Sequence, residues 1–116
     1  MRTIIAGSRS TLMMDFAEGM IECPFLFEIS SIISGTAKGA DSFGEAYGRK
    51  ANIPVVRFPA DWDKYGKRAG YIRNVEMAEN ADALIAFWDG KSRGTNHMIN
   101  IAKERNLQVY IHLNKY

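Results

Sequence analysis

Short, mostly apolar runs alternate along the chain with longer segments in which apolar residues have helical spacing. The apolar runs cover residues 3–6, 29–33, 54–58, 83–87 and 109–113. Strands of a parallel sheet that is covered by helices on both faces have this pattern, whereas half-exposed hairpin strands alternate apolar and polar side chains. The pattern therefore predicts five strands of a mainly parallel sheet.

The segments between the runs repeat apolar residues at intervals of three and four, which is typical of one face of a helix. The four predicted apolar stripes are Met13, Phe16, Ala17 and Met20; Ala40, Phe43, Tyr47 and Ala51; Ile72, Val75 and Ala78; and Met98, Ile101, Ala102 and Arg105. We assign the methionines to the core, because thioether side chains fill irregular apolar gaps. Right-handed crossovers then predict a three-layer, Rossmann-like α/β fold with a five-stranded, mainly parallel sheet flanked by helices.

The composition favours a single domain over residues 1–116, since 47% of the residues are apolar. A net charge of +2 gives no global reason to expect a polyanionic partner. The one cysteine, Cys23, excludes an internal disulfide, and we predict no metal or cofactor. The first apolar run is shorter than a signal peptide core or the roughly 20 residues of a membrane span. We expect a soluble, cytoplasmic protein with no membrane partner.

Candidate ligand-binding residues follow the predicted strands, because ligands of open parallel sheets bind beyond the carboxyl ends of the strands. Four loops lie there, over residues 7–9, 34–41, 59–62 and 88–95. Their candidate residues are Gly7, Ser8, Arg9, Ser34, Gly35, Thr36, Lys38, Gly39, Asp41, Asp61, Trp62, Trp88, Asp89, Gly90, Ser92, Gly94 and Thr95. We expect all four loops to converge on one rim of the sheet.

The second and fourth loops have the features of phosphate-binding loops. Their glycines allow backbone N–H groups to approach an anion, and a helix N-terminus follows each loop. Neither loop has a Walker A or a G-x-G-x-x-G sequence, which disfavours ATP hydrolysis. In the alternative interpretation, the glycines only make tight turns, with helix N-caps at Thr36 and Thr95. We favour phosphate binding, because both loops carry hydroxyls and lysine at rim positions that we expect to be neighbours.

A local basic segment spans residues 57–73. Its cations are Arg57, Lys64, Lys67, Arg68 and Arg73, and its aromatic residues are Trp62, Tyr65 and Tyr71. Such a segment could stack a base and neutralise a phosphate; the alternative is a solvated loop whose aromatic residues support the third helix. We place Arg73 in the first turn of that helix, within reach of a phosphate held by the loops.

Other chemistry has little support in the sequence. No nucleophile elbow surrounds Ser8 or Ser34, so we name no catalytic residue. His97 and His112 are isolated, and we interpret both as structural. The apolar segment 23–27 is either buried or a subunit contact, which leaves a homo-oligomer open, and Cys23 within it is expected to be inert.

Together these motifs resemble the small YspA/YpsA-related proteins of the SLOG superfamily. The resemblance rests on the loops 7–9, 34–41, 59–67 and 81–95 and on the pairs Ala69-Gly70 and Arg73-Asn74. It implies a Rossmann-like fold that binds nucleotides or nucleotide-derived ligands. Some relatives sense ADP-ribose-like signals in antiviral systems, and a DNA-uptake branch holds single-stranded DNA.

The enzymatic branch of the superfamily, the LOG phosphoribohydrolases, carries Pro-Gly-Gly-x-Gly-Thr-x-x-Glu. Gly94 and Thr95 match this motif, but Met98 stands where the motif has its glutamate. Methionine cannot transfer a proton, so hydrolysis by that mechanism is expected to be lost unless Asp41 or Asp89 supplies the carboxylate.

The leading hypothesis is a module that binds a phosphorylated nucleoside, such as an ADP-ribose-like or cyclic nucleotide signal. It would act as a sensor or as a phage-encoded, anti-defence protein that sequesters the signal. The alternative is an N-glycosidic phosphoribohydrolase of nucleotides. A third and less favoured hypothesis is single-stranded nucleic-acid binding by the segment 57–73.

Overall fold

The computed structural model describes residues 1–116, in which strands and helices alternate. The strands are β1 (Arg2–Gly7), β2 (Ser31–Ser34), β3 (Val55–Arg57), β4 (Ala83–Trp88) and β5 (Gln108–Leu113). The helices are α1 (Met13–Glu22), α2 (Ala40–Ala51), α3 (Trp62–Tyr65), α4 (Ala69–Glu79) and α5 (Arg93–Glu104), with 3-10 turns at Leu26–Glu28 and Gly66–Arg68. All five strands are parallel, so the predicted three-layer, Rossmann-like α/β fold is confirmed.

The strand order is β3-β2-β1-β4-β5, which places β1 at the centre of the sheet. Ile4 of β1 pairs with Ile33 of β2 on one side and with Leu84 of β4 on the other. The chain builds the sheet outward from β1 to β3, then returns to the opposite side of β1 for β4. The order therefore reverses between β1 and β4, which is the position where open α/β sheets bind ligands.

Two apolar clusters cover the two faces of the sheet. Met77 and Met98, on α4 and α5, pack with Leu84 on one face. Phe16 of α1 lies 5.1 Å from Phe87, ring centroid to ring centroid, on the other. Three methionines, Met20, Met77 and Met98, are buried as predicted, whereas the prediction is wrong for Met13 and Met14, which are more than half exposed.

The inward face of α1 differs from the predicted stripe. Asp15 is buried, while Met13 and Ala17 are exposed. The reason is the C-terminal segment, which packs against α1: Asp15 accepts hydrogen bonds from His112 Nε2 (2.9 Å) and from the amides of Lys115 (2.8 Å) and Tyr116 (3.2 Å). Burial acts to raise the pKa of Asp15, but these hydrogen bonds hold it below its ordinary value.

Smaller differences concern the ends of the elements. Ala51 is exposed on α2, and Arg105 lies just beyond α5 and is exposed as well. The third predicted helix begins at Ala69, before its first predicted apolar position. No helix has the length and apolar content that a membrane crossing requires.

The apolar segment 23–27 is divided between the core and the surface. Cys23 and Phe25 are buried, and burial raises the pKa of the Cys23 thiol. Phe27 is 97% exposed. The buried interpretation therefore fits the first part of the segment, and a subunit contact at Phe27 stays a prediction.

Candidate functional site

A cavity of about 510 Å³ opens beyond the carboxyl ends of β1 and β4, at the reversal of strand order. Ten of the predicted residues line it: Gly7, Ser8, Arg9, Asp41, Trp62, Arg73, Asp89, Ser92, Gly94 and Thr95. Buried Met77 and Met98 are among the apolar residues of its wall. We call this cavity the cleft below.

The loop after β1 is fastened to β4. The Ser8 amide donates to the Phe87 carbonyl (2.9 Å), and the Asp89 amide donates to Ser8 Oγ (3.1 Å). A Cβ atom on Gly7 would overlap the Phe87 carbonyl oxygen, so only glycine permits this approach. Arg9 and Ser10 also line the cleft, and their amides donate to no backbone carbonyl. These amides are therefore available to an anion.

The N-terminus of α5 forms another wall of the cleft. Ser92 is its N-cap and accepts from the Thr95 amide, so the alternative N-cap at Thr95 is wrong. Asp89 Oδ1 accepts from the amides of Lys91 (2.8 Å) and Ser92 (2.7 Å). These hydrogen bonds lower the pKa of Asp89, which keeps a carboxylate at the mouth of the cleft.

The loop after β2 is built around an unusual backbone conformation at Thr36, whose φ is 66°. Ser34 Oγ accepts from the Thr36 amide (3.1 Å) and donates to Glu45 (2.6 Å), which holds the turn in place. Thr36 is therefore not a helix N-cap. That position belongs to Gly39, whose positive φ and contact with the carbonyl oxygen of Ser8 leave no room for a side chain.

A second cavity of about 450 Å³ adjoins the cleft on the side of β2. The predicted residues Gly35, Thr36 and Lys38 line this cavity and not the cleft, while Arg9, Ala37, Trp62 and Arg73 line both. Because β1 lies between β2 and β4, the two glycine loops do not follow neighbouring strands. The expectation of neighbouring rim positions is wrong: the loop after β2 contributes Ala37 and Asp41 to the cleft, and its other lining residues face the second cavity.

Arg73 lies between the two cavities. It is in the second turn of α4, one turn later than predicted, because the helix begins at Ala69. Its Nη1 donates to the Gly35 carbonyl, its Nε donates to Asn74 Oδ1 (3.2 Å), and no carboxylate lies within ion-pair distance. Burial lowers the pKa of Arg73; Asp41 opposes that effect, and Arg9 adds to it.

Asp41 is the buried acid of the cleft. It accepts a hydrogen bond from the Ala37 amide (3.1 Å). Burial raises its pKa to about 6, against smaller opposing effects of the Ala37 amide and Arg73. Asp41 therefore changes its charge close to neutral pH.

The aromatic wall is formed by Trp62 and Tyr71. Trp62 is about half exposed and its ring lies over Gly70, while Tyr71 packs against His97 with ring centroids 4.6 Å apart. Trp88, the other tryptophan among the candidate residues, lines neither cavity. Its indole N–H donates to the Ser92 carbonyl (3.1 Å), and its ring packs on the apolar core.

Five predicted residues line neither cavity: Ser34, Gly39, Asp61, Trp88 and Gly90. Asp61 caps α3 by accepting from the Lys64 amide, and Gly90 occupies a turn with φ of 81°. These two residues shape the loops around the site.

The cations of the basic segment do not form a continuous strip. Arg57 pairs with Glu45 (3.3 Å), and Lys64 lies over the Tyr65 ring. Of the five cations, only Lys67 and Arg73 line the cleft.

Asn74 also lines the cleft, although the sequence singled it out only as part of the family resemblance and not as a ligand-binding residue. Its side chain is buried and donates to the Gly94 carbonyl (3.3 Å) and to His97 Nδ1 (3.1 Å), while it accepts from Arg73. It therefore ties α4 to α5. The available signal was the Arg73-Asn74 pair of the resemblance.

These features define a Rossmann-like α/β protein with an open cleft where the strand order reverses. A model of the YspA, cpYpsA-related SLOG family (YAcAr) matches residues 25–65, which contain β2, α2, β3 and the Thr36 turn. The chain is 32% identical over 119 residues to the Gene 61 protein of Mycobacterium phage D29, and the alignment covers 93% of each chain. The chain belongs to this SLOG family, as the sequence motifs predicted. No solved structure matches it.

Proposed function

We propose that the chain binds a phosphorylated nucleoside in the cleft, which we call the nucleoside cleft from here on. One observation carries the proposal: Arg9, Lys67 and Arg73 line the cleft without a carboxylate within ion-pair distance, next to an exposed indole. Unpaired cations and an aromatic face are the two groups that recognise phosphate and base.

Each part of the ligand has a matching group. Arg9 and Arg73 balance the phosphate charge, and the free amides of Arg9 and Ser10 donate to its oxygens. Trp62 stacks on the base. A ribose hydroxyl donates to Asp41 or Asp89, since these are the carboxylates that line the cleft.

An ADP-ribose-like or cyclic nucleotide signal is the finer form of the proposal. It would make the protein a sensor of that signal or a protein that sequesters it. The phage origin of the Gene 61 protein is compatible with sequestration as an anti-defence function.

Thermal unfolding with a ligand panel tests the proposal. ADP-ribose, its cyclic isomers and the common mono- and dinucleotides are each added in excess. A ligand at about 100 times its dissociation constant stabilises the protein by roughly 2.7 kcal/mol, so its binding raises the melting temperature. No shift with any compound would contradict the proposal. Native mass spectrometry of the freshly purified protein adds a search for a bound small molecule.

The variant Arg9→Met tests the role of the cleft directly. Arg9 is exposed and has no ion-pair partner, so its loss leaves the fold intact and weakens the binding of the ligand. Arg68→Met is the matched control, because Arg68 is also an exposed arginine without an ion pair but lines neither cavity. Equal affinity in both variants would argue against the cleft as the binding site.

Hydrolysis of an N-glycosidic bond is a second candidate function, which the ionisation of Asp41 favours. A carboxyl group with a pKa of about 6 in a cleft can transfer a proton near neutral pH. Met98, at the position of the LOG glutamate, lines the same cleft and cannot do so. This candidate requires base release from a nucleoside monophosphate that Asp41→Asn or Asp89→Asn abolishes. Intact substrate after long incubation at high protein concentration would rule it out.

A further inference from the structure

The two cavities differ in the charges that line them. The nucleoside cleft contains the carboxylates Asp41 and Asp89 together with its cations. The second cavity contains Arg9, Lys38 and Arg73 and no acidic residue. Carboxylates suit sugar hydroxyls and repel phosphate, so the second cavity is the better environment for anionic charge.

The backbone of Thr36 is a second observation at the same place. Thr36 is the only β-branched residue with a positive φ; the other non-glycine examples are Asn52 and Asn106, a residue type that tolerates this conformation. Strained residues of this kind concentrate at ligand sites. Thr36 lines the second cavity, and its hydroxyl has no hydrogen-bond partner in the chain. Glycine would fit the backbone without strain but would lack this hydroxyl.

The third observation concerns the boundary between the cavities. Arg9 and Arg73 line both of them, and neither guanidinium is paired with a carboxylate. Two nearby cations at a shared wall repel each other until an anion lies between them. An anion at this wall would have one cavity on either side.

We propose that the second cavity is a subsite for the distal phosphate of a nucleoside diphosphate group. The inference rests on the proposed function: the nucleoside occupies its cleft, the first phosphate lies at Arg9 and Arg73, and the second reaches Lys38 and the Thr36 hydroxyl. The diphosphate is either free or esterified to a further sugar, since both forms present the same anionic group.

The test compares ribonucleoside mono- and diphosphates of the four bases, and ADP-ribose, by calorimetric titration. For the base that binds, we expect the diphosphate to bind at least about tenfold more tightly than the monophosphate, because it gains charge-assisted hydrogen bonds. If ADP-ribose binds more tightly than ADP, the preferred diphosphate is esterified. If ADP binds more tightly, the preferred diphosphate is free. Both results support the subsite.

Two variants test whether the gain in affinity for the diphosphate comes from the second cavity. Thr36→Gly relieves the strained backbone and removes the hydroxyl, and Lys38→Met removes one charge. Each should weaken diphosphate binding about fivefold or more, while monophosphate affinity changes less than about twofold. The melting temperature of Thr36→Gly should stay equal or rise, which separates lost binding from lost folding. Lys91→Met is the matched control, since Lys91 is an exposed rim lysine that lines neither cavity.

The outcomes separate this inference from the proposed function. Mono- and diphosphates that bind equally well would overturn the subsite and leave the nucleoside cleft in place. The same holds if Thr36→Gly and Lys38→Met behave like Lys91→Met. If no nucleoside phosphate binds, both proposals are wrong.

Discussion

Gly7 shows how closely the first strand and its neighbours approach each other. An added Cβ would overlap the Phe87 carbonyl oxygen and lie 2.9 Å from the Ala40 Cβ atom. Backbone atoms cannot move aside as the end of a flexible side chain can. The close approach fixes the loop that carries Ser8 and Arg9, and so one wall of the cleft.

We therefore expect Gly7→Ala to lower the free energy of unfolding by about 2–3 kcal/mol, or to prevent folding. Gly94→Ala is the control: an added Cβ there meets nothing within 4 Å, in the first turn of α5. Alanine at that position should be neutral or stabilise by up to about 1 kcal/mol, because it favours the helix. Urea unfolding of both variants measures the difference. Equal effects would contradict the packing described for Gly7.

The pKa of Asp41 predicts a pH dependence of stability. Its folded value of about 6 lies above the ordinary value of 3.8, so the folded state binds the proton more tightly than the unfolded chain. Stability should fall as the pH rises between these values and then level off. The parent should therefore lose about 2 kcal/mol of its free energy of unfolding between about pH 4.5 and 7.5, and Asp41→Asn should not show this loss. Urea unfolding at both pH values checks this, and parallel curves for the two proteins would refute it.

Residue types could predict the chemistry of the rim, but not which side chains reach the cavities. Asp61 and Asp41 are both acidic rim residues in the sequence, yet Asp61 caps a short helix and Asp41 is buried in the cleft. Whether Asp61 caps a helix depends on where α3 begins, and the few residues around Asp61 do not determine that position. Asn74 was missed because its role arises from a contact between two helices.

At the scale of elements, α1 is attached to the C-terminal segment through one buried carboxylate. Asp15 accepts from His112 and from two backbone amides, and its partners lie about 100 positions away in the chain. A polar residue on the inward face of an amphipathic helix has no signal in a single sequence. This explains why the periodicity predicted the existence of α1 correctly and its inward face incorrectly.

Asp15→Asn should lower the free energy of unfolding by about 1–3 kcal/mol, since an amide cannot accept from all three donors. Asp63→Asn, on the exposed side of α3, should change it by less than about 0.5 kcal/mol. The lowered pKa of Asp15 also predicts a pH dependence. The stabilising contribution of Asp15 is present above pH 3.8 and is lost as the pH falls through the pKa of Asp15 in the folded state. Acid unfolding that is identical in Asp15→Asn and the parent would contradict this assignment.

The N-cap of α5 is tested by Ser92→Ala. This variant loses the hydroxyl that accepts from the Thr95 amide, which should lower the free energy of unfolding by about 1 kcal/mol. Thr95→Ser keeps that amide and a hydroxyl, so it should lower the free energy of unfolding by less. Thermal unfolding measures both. A larger loss in Thr95→Ser would place the cap elsewhere.

For the whole molecule, the fold class followed from the sequence and the strand order did not. Short apolar runs between helices specify a parallel sheet, but they carry no information on which strands are neighbours. The order has a direct consequence for the site, because the central β1 separates the loops after β2 and β4. The predicted homo-oligomer stays open, and native mass spectrometry measures the number of subunits.

The charge distribution predicts little affinity for nucleic acid. The net charge is +2, and Arg57 of the basic segment is paired with Glu45. We expect a single-stranded oligonucleotide to be released at about 0.15 M salt, because nonspecific phosphate contacts weaken steeply as counterions are added. A nucleotide in the cleft should stay bound under the same conditions. Fluorescence anisotropy at increasing salt compares the two, and tight oligonucleotide binding at high salt would reverse this expectation.

The hydrogen bond from the Asp89 amide to Ser8 joins residues that are 81 positions apart in the chain. This separation has a consequence for biosynthesis. All residues of the second cavity have been synthesised once the ribosome has passed Arg73, but the nucleoside cleft also needs Ser92, Thr95 and Met98. The proposed ligand could therefore bind only after β4 and the residues of α5 through Met98 have been synthesised. Truncated products that end before β4 should not bind the proposed ligand.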